Sequence, residues 1–199
     1  MADAMICDEE MVYAMKTAGC IGLKFGLESA NKKILQQIKK PLDTGKLSRL
    51  VKLCNRLKIK THVSVSFGHV NETDTTVKET MDFVLKLSCD SIQFSIATPY
   101  PGTRFYEEVK ASGYISEMRW KDYDPTHNTI LDLPGISADE LRKIEAAAHG
   151  RWLRKKISDP AWLLRQIRFL IYLLRKQGIR GFLLRCRRAI HLLFSKTFR

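Results

Sequence analysis

Acidic, hydroxyl and glycine residues follow three short strand-like runs of the chain, and such residues can bind a cofactor. Residues 25–29 (FGLES) carry Glu28 and Ser29, residues 67–73 (FGHVNET) carry a glycine, and residues 94–103 (FSIATPYPGT) form a loop with two prolines. A carboxylate at the end of a strand can accept hydrogen bonds from ribose hydroxyls or from an amino group. Because loops at the carboxyl ends of parallel strands bind ligands, the three segments predict one binding site.

Each segment also has a purely structural interpretation. Glu28 can pair with a neighbouring lysine, and Ser29 can serve only as the cap of the following helix, whose first amides favour an anionic group. Gly68 lets the backbone approach a ligand closely, but a glycine there is also typical of an ordinary β–α turn. The proline-rich loop either positions a ligand contact or simply makes a rigid turn. These residues alone leave both interpretations open.

The elements that must position these residues alternate between strand and helix. Alternating and β-branched apolar residues predict strands at 21–27, 61–67 and 91–97. Helices are predicted around them, beginning at or near Asp8, Asn31, Asp43, Thr73 and Thr103. This order predicts an α/β fold with a parallel sheet. Three strands cannot close a barrel, so the chain resembles the second half of one, and its exposed sheet edges predict marginal stability or self-association.

The charge pattern divides the chain. Residues 1–149 hold 20 lysines and arginines against 20 acidic residues, whereas residues 150–199 hold 14 against a single aspartate. Residues 114–136 are predicted to be irregular, and a capping box at 137–140 begins a helix that runs to about residue 156. The predicted organisation is therefore an α/β part at 1–113, an irregular segment with a capping helix at 114–157, and a basic amphipathic all-α extension at 158–199.

Composition excludes several classes of protein. The hydrophobic content of 45% supports a packed core, and no two of the five cysteines have C-x-x-C spacing, so buried thiols are expected rather than disulfides. The histidines also lack the spacing of metal ligands. His69, beside Gly68, is the one histidine that lies in a candidate binding segment. The sequence therefore predicts no metal-ligand set in this chain. An acidic segment near Met1 in place of a basic one and an apolar one predicts no secretory signal, hence a cytoplasmic protein.

The basic extension at 158–199 combines apolar and basic residues at helical spacing. Its longest uninterrupted apolar run, 169–174, is too short to span a bilayer. At about 100° per residue, Arg165 and Arg168 share a face opposite Leu163 and its apolar neighbours. This pattern is typical of a helix at an anionic membrane surface, although it also suits a calmodulin-like partner or packing on the chain's own barrel. Nucleic acid fits least, because stacking platforms and a known motif are missing.

Taken together and in order, the motifs resemble those of radical S-adenosylmethionine (radical SAM) enzymes. The resemblance is to the class with an N-terminal cobalamin-binding domain, which includes enzymes acting on hopanoid lipids and magnesium-porphyrin esters. Residues 15–20 (MKTAGC) and 25–31 (FGLESAN) resemble its fourth-strand region, 59–62 (IKTH) with Phe67 and Gly68 its fifth strand, and 93–103 its sixth strand and loop. The similarity runs from Met1 to about residue 157.

The resemblance implies a fold, a chemistry and a set of cofactor contacts. The fold would be the C-terminal part of a (β/α) barrel, and the cofactors S-adenosylmethionine, a [4Fe–4S] cluster and cobalamin. It implies methyl transfer or ring formation on a lipid-like or tetrapyrrole-like substrate bordered by residues 114–136. The implied cofactor-binding residues are Gly26, Glu28, Ser29, Gly68, Ser95 and Thr98; no catalytic residue is assigned.

Two departures from the family pattern qualify this expectation. The C-x3-C-x2-C loop that ligates the cluster does not occur in the sequence, and residues 68–73 (GHVNET) replace the usual G-x-P-G-E-T. We therefore expect the isolated chain not to cleave S-adenosylmethionine, and expect a partner chain to supply the other half-barrel. The alternative hypothesis is a non-enzymatic, membrane-peripheral protein that acts through residues 158–199.

Overall fold

The structure, a computed structural model, describes residues 1–115 and 130–195, with side chains described as far as residue 176. The described elements, in chain order, are α1 (Glu9–Thr17), β1 (Gly22–Glu28), α2 (Lys32–Gln37), α3 (Thr44–Arg56), β2 (Lys60–Phe67), α4 (Asp74–Lys86), β3 (Ser91–Ile96), α5 (Arg104–Ala111), α6 (Ala138–Ile157) and α7 (Pro160–Ser195). Their bounds agree with the predicted strands and helices to within one or two residues. Residues 116–129, most of the segment predicted to be irregular, lie outside the described residues.

The three strands form one parallel sheet in the order β1-β2-β3. Phe25 pairs with Val63 of β2, and Val65 pairs with Phe94 of β3. The predicted α/β class with about three parallel strands is thus confirmed. At the edge of β1 that does not pair with β2, the Ala2 amide donates to the Lys24 carbonyl at 2.8 Å and forms an isolated parallel bridge.

The two faces of the sheet differ in chemistry because alternate side chains of a strand point to opposite sides. One face is buried and apolar, with Phe25 of β1, Val63 and Val65 of β2, and Phe94 of β3. The apolar stripe of α3, which includes Leu47, Leu50, Val51 and Cys54, is also buried, and α3 packs on β2. The other face is polar and half-buried or exposed; its members include Lys24, His62, Ser64, Ser66, Gln93 and Ser95. This second face, called the polar face below, is where a ligand can be reached.

Four of the helices, α1, α3, α4 and α5, begin at the predicted capping residues. Asp8 accepts a hydrogen bond from the Met11 amide, Asp43 from the Gly45 amide, and Thr103 from the Tyr106 amide. Thr73 forms a reciprocal capping box with Thr76 at the start of α4. Local side chains therefore satisfy the first amides of these helices, which is why the sequence locates their beginnings so well.

The chain divides into two compact units, Met1–Lys155 and Lys156–Arg199. The second unit consists mainly of α7, in which Asp159 accepts hydrogen bonds from the amides of Ala161 and Trp162. The helical conformation of α7 is interrupted at Gly178, whose φ of 68° and ψ of 173° are not helical. Within the described part of the chain, no helix has the length and hydropathy needed to cross a bilayer.

Candidate functional site

Glu28 lies at the carboxyl end of β1, where a bulge changes the strand's path. The register shifts between Gly26 and Glu28, and Glu28 adopts a left-handed φ of 59°. A non-glycine residue in this region is uncommon and is often found at functional sites. The bulge brings the carboxylate to Ser66 on the polar face, and the side chain remains 29% exposed. The sequence prediction that Glu28 occupies a strand end is confirmed.

Two neighbours hold the Glu28 carboxylate. Lys40, which follows α2, places its Nζ 2.9 Å from Oε1, and Ser66 on β2 donates its hydroxyl to Oε2 at 3.0 Å. The lysine pairing that the sequence offered as an alternative is therefore present. Since Oε1 takes the lysine and Oε2 the hydroxyl, each oxygen keeps lone pairs for a further donor. Sequence analysis missed Ser66, although its place in the alternation of β2 assigns it to the polar face.

His69 extends this chain of contacts from the loop after β2. Its Nε2 lies 2.9 Å from Ser66 Oγ. With the Ser66 hydroxyl proton donated to Glu28, Ser66 Oγ can accept a hydrogen bond from a protonated His69 Nε2. Burial lowers the pKa of His69, and the Glu28 charge opposes this effect. Lys40, Glu28, Ser66 and His69 therefore form one connected network, called the Glu28 network below.

Ser29 is fully buried and does not cap α2. Its Oγ lies 3.1 Å from Thr80 Oγ1 of α4 and accepts the Asn31 amide at 3.1 Å. The cap of α2 is Asn31, whose side chain accepts the amides of Lys33 and Ile34. The interpretation of Ser29 as the helix cap is therefore corrected: its hydroxyl joins the end of β1 to α4. Its predicted contact with the cofactor stays a prediction.

Gly68 adopts a φ of +88°, which other residues rarely adopt. A Cβ there would lie 3.2–3.4 Å from side-chain atoms of Leu131, Ile96 and Leu141. The segment after residue 130 and the start of α6 thus close over this glycine. Its tight surroundings explain why the position requires glycine, and its predicted role beside the adenosyl group stays a prediction.

Glu72 lies under the loop after β2 and is only 2% exposed. Its Oε2 accepts the backbone amides of Gly68 and His69, whereas Oε1 has no hydrogen-bond partner among the described residues. Burial raises the pKa of this carboxyl to about 7, although the two amide bonds act to lower it. Sequence analysis predicted a helix beginning at Thr73 but missed the burial of Glu72, because that burial depends on residues distant in the sequence.

The remaining predicted residues lie at the same end of the sheet. Gly26 faces the Glu28–Lys40 pair so closely that a Cβ would lie 2.7 Å from an atom of each. Ser95 pairs in register with Ser66 and donates to the Val65 carbonyl at 3.2 Å. Thr98 donates to the Ile96 carbonyl at 3.4 Å. The structure therefore brings Gly26 and Glu28 together and places Ser95 on the neighbouring strand, beside the Glu28 network.

An open cleft of about 650 Å³ lies on the Lys40 side of the network. Its lining includes three lysines and one carboxylate, Lys32, Lys39, Lys40 and Asp43, together with apolar residues such as Leu35 and Pro41. The same lysine that holds Glu28 thus also borders this basic cleft. Its shape and charge suit a ligand that carries both an anionic group and an apolar part.

The described residues do not fit an iron–sulfur cluster. No group of three or more histidine, cysteine or acidic side chains within them is placed to hold a metal ion. Cys7, Cys54 and Cys89 are buried and form no disulfide, and burial raises the pKa of Cys54 to about 11. Since a metal ligand must be a thiolate, such a thiol is a poor ligand. By contrast, a carboxylate with spare acceptor sites at a half-exposed strand end fits a nucleoside such as S-adenosylmethionine.

No protein-family model matches the chain. Over 151 residues it is 33% identical to an uncharacterized methyltransferase of Pyrococcus horikoshii, a match covering 75% of this chain and 33% of the relative. It is 30% identical over 125 residues to bacteriochlorophyllide d C-8(2)-methyltransferase of Chlorobaculum tepidum, covering 62% of this chain and 28% of that enzyme. The chain therefore spans about a third of the length of these curated relatives.

The fold is also similar to a solved structure. The radical S-adenosylmethionine methyltransferase TsrM from Kitasatospora setae, with cobalamin and a [4Fe–4S] cluster bound, matches with a TM-score of 0.53 at 22% identity. The match covers 72% of this chain and 29% of TsrM. At this level of identity the likeness concerns the fold, and it supports the expected type of partial barrel.

Proposed function

We propose that the chain is part of a radical SAM protein and forms part of the S-adenosylmethionine site of a methyltransferase. The observation that carries this proposal is the Glu28 carboxylate, held by Lys40 and Ser66 at the carboxyl end of β1. An oriented carboxylate with unused acceptor sites can bind ribose hydroxyls or the amino group of the cofactor. The homology to methyltransferases favours methyl transfer as the chemistry of the whole protein.

The described residues have distinct roles in this proposal. Glu28 binds the cofactor directly, whereas Lys40 and Ser66 position its carboxylate. Gly26 leaves the space that the Glu28–Lys40 pair occupies, so a side chain there would displace the pair. Ser95 and Thr98 continue the binding edge onto β3, and Gly68 keeps the loop after β2 close to it.

The other cofactors come from outside the described residues. S-adenosylmethionine supplies the methyl group or the radical, and a [4Fe–4S] cluster and cobalamin are the cofactors bound to TsrM. Because the described side chains do not fit the cluster, we propose that another segment or a partner chain provides its ligands. The proposed substrate is tetrapyrrole-like or lipid-like, and the name of the Chlorobaculum relative favours the tetrapyrrole. A cytoplasmic location remains part of the proposal.

An amide NMR titration of the full chain with S-adenosylmethionine tests the binding site. Perturbed signals should cluster at Gly26, Glu28, Ser29, Ser95 and Thr98, and Glu28→Gln should weaken binding about tenfold, the loss of one charge-assisted hydrogen bond. Glu10→Gln, at an exposed position in α1, is the matched control. Saturating cofactor without shifts at these residues, or equal binding by Glu28→Gln, would refute the proposal.

A second measurement tests the expectation that this chain alone does not cleave the cofactor. The chain is reconstituted with iron and sulfide, reduced, and assayed for 5′-deoxyadenosine. Product above the level of a no-protein control would show that the chain holds a working cluster. Absence of product together with NMR-detected binding is the expected result.

The alternative, a protein without chemistry that acts only through residues 158–199, stays a prediction. The continuous Glu28 network favours the cofactor site, because a bare scaffold has no need of a half-exposed carboxylate fixed in a left-handed backbone conformation. Chains in which the Glu28 network is broken but vesicle binding persists would separate the two functions.

A further inference from the structure

The first part of α7 exposes a set of large apolar side chains. The residues of this set, called the α7 stripe below, are 38–52% exposed: Leu163, Leu164, Ile167, Leu170 and Ile171. Single exposed apolar residues are common on protein surfaces, but five along one helix form a contiguous patch. The patch therefore indicates an interaction surface.

Helical geometry places the α7 stripe on one side of the helix. At about 100° per residue, its five members fall within an arc of about 120°. Arg168 and Arg175, both exposed, lie along one border of this arc. An apolar face bordered by cations is the arrangement of a helix that lies in the headgroup region of a bilayer.

The net charge of this part of the chain indicates what kind of surface the α7 stripe contacts. Residues 150–199 carry 14 lysines and arginines against Asp159 alone. We propose that the α7 stripe docks on an anionic phospholipid bilayer, with the stripe in the interface and the cations against the headgroups. A second copy of the chain would bring two strongly basic segments together, which is unfavourable. Within the described residues no helix can span a membrane, so the helix would lie on the surface.

The α7 stripe shares no residue with the Glu28 network, and the inference does not depend on whether the chain binds S-adenosylmethionine. Docking on a lipid surface would concentrate the protein where an apolar substrate partitions. Docking of the α7 stripe would therefore place the proposed methyl transfer at a membrane surface.

Vesicle co-sedimentation of the full chain tests the inference. The probes are vesicles of phosphatidylcholine alone and vesicles with equal parts phosphatidylcholine and phosphatidylglycerol. The chain should sediment with the anionic vesicles only, and high salt should weaken binding because the headgroup attraction is screened. Equal binding to neutral vesicles, or no binding to either, would overturn the proposal.

Two matched variants assign the binding to the stripe. Ile167→Glu places a charge at the centre of the stripe and should reduce the affinity for anionic vesicles at least about tenfold, since a buried charge is costly in lipid. Ala161→Glu adds the same charge on an exposed part of the helix outside the stripe and should bind nearly as the parent does. Circular dichroism checks that both variants fold.

Sedimentation velocity tests whether a second copy of the chain, rather than a bilayer, covers the α7 stripe. A parent chain that is dimeric in solution and becomes monomeric in Ile167→Glu, without any loss of vesicle binding, would assign the stripe to self-association and refute membrane docking. A monomeric parent whose vesicle binding is lost in Ile167→Glu supports it.

Discussion

Ser66 donates its hydroxyl to Glu28 at 3.0 Å and so joins the carboxyl ends of β1 and β2 through their side chains. The strands already pair through their backbones, but the bulge before Glu28 interrupts that register. The side-chain bond restores a connection where the backbone ladder is disturbed. It also fixes the carboxylate in the orientation on which the proposed cofactor contact depends.

Replacing Lys40 with methionine should show whether Lys40 serves to orient the Glu28 carboxylate or to stabilise the fold. The Lys40–Glu28 pair is about 30% exposed on both sides, so its loss should change the free energy of unfolding by less than about 1 kcal/mol. The affinity for S-adenosylmethionine should nevertheless fall, because Glu28 loses the cation that orients it. Urea denaturation and the NMR titration measure the two effects. A large loss of stability with unchanged affinity would assign Lys40 a purely structural role.

Ser29→Ala tests the link between β1 and α4. The buried hydroxyl lies against Thr80 and accepts the Asn31 amide, so its removal should cost about 1–2 kcal/mol of unfolding free energy. A double-mutant cycle with Thr80→Val should show coupling between the two positions. Thr75→Ala, at an exposed site of α4, is the control. Additive effects of Ser29→Ala and Thr80→Val would disprove the link.

Gly68→Ala and Gly102→Ala form a matched pair. Both glycines have φ above +80°, but a Cβ at Gly102 meets nothing within 4 Å, whereas at Gly68 it meets Leu131, Ile96 and Leu141. Backbone strain should cost each variant about 1–2 kcal/mol. Gly68→Ala should lose more, since three side chains must also move. Equal losses in thermal or urea denaturation would show that nothing packs tightly over Gly68.

Glu72 should make the protein less stable as the pH rises from acid to neutral. Its pKa is raised from 4.5 to about 7 by burial, so the unfolded chain releases this proton at lower pH than the folded one does. The stabilisation is fully present below about pH 4.5 and is lost as the pH approaches 7, by up to roughly 3 kcal/mol.

Glu72→Gln should therefore flatten the dependence of unfolding free energy on pH over this range. Urea denaturation at several pH values, compared between parent and variant, isolates the contribution of Glu72 from other titrating groups. Glu10→Gln should keep the parent's slope. Parallel curves for Glu72→Gln and the parent would show that Glu72 ionises at an ordinary pKa.

Most of the fold could be predicted because its signals are local. The alternation of Val63 and Val65 specifies a strand, and Asp43 or Thr73 before an apolar helical stripe specifies where a helix begins. Such signals need only neighbouring residues, and the structure confirms them. The misassigned cap shows the limit: Ser29 and Asn31 both precede α2, and contact with the distant Thr80 decides which of them caps it.

The sequence by itself determined the order of strands and helices, the parallel sheet, the capping residues of α1, α3, α4 and α5, and the concentration of positive charge after residue 150. Only the tertiary structure decided that Lys40 and Ser66 hold Glu28, that Glu72 is buried with one oxygen unpaired among the described residues, and that Leu131 closes over Gly68. The physical reason is the distance along the sequence over which each interaction acts. Periodicity and capping act over a few residues, whereas ion pairing and burial depend on which distant segments folding brings into contact.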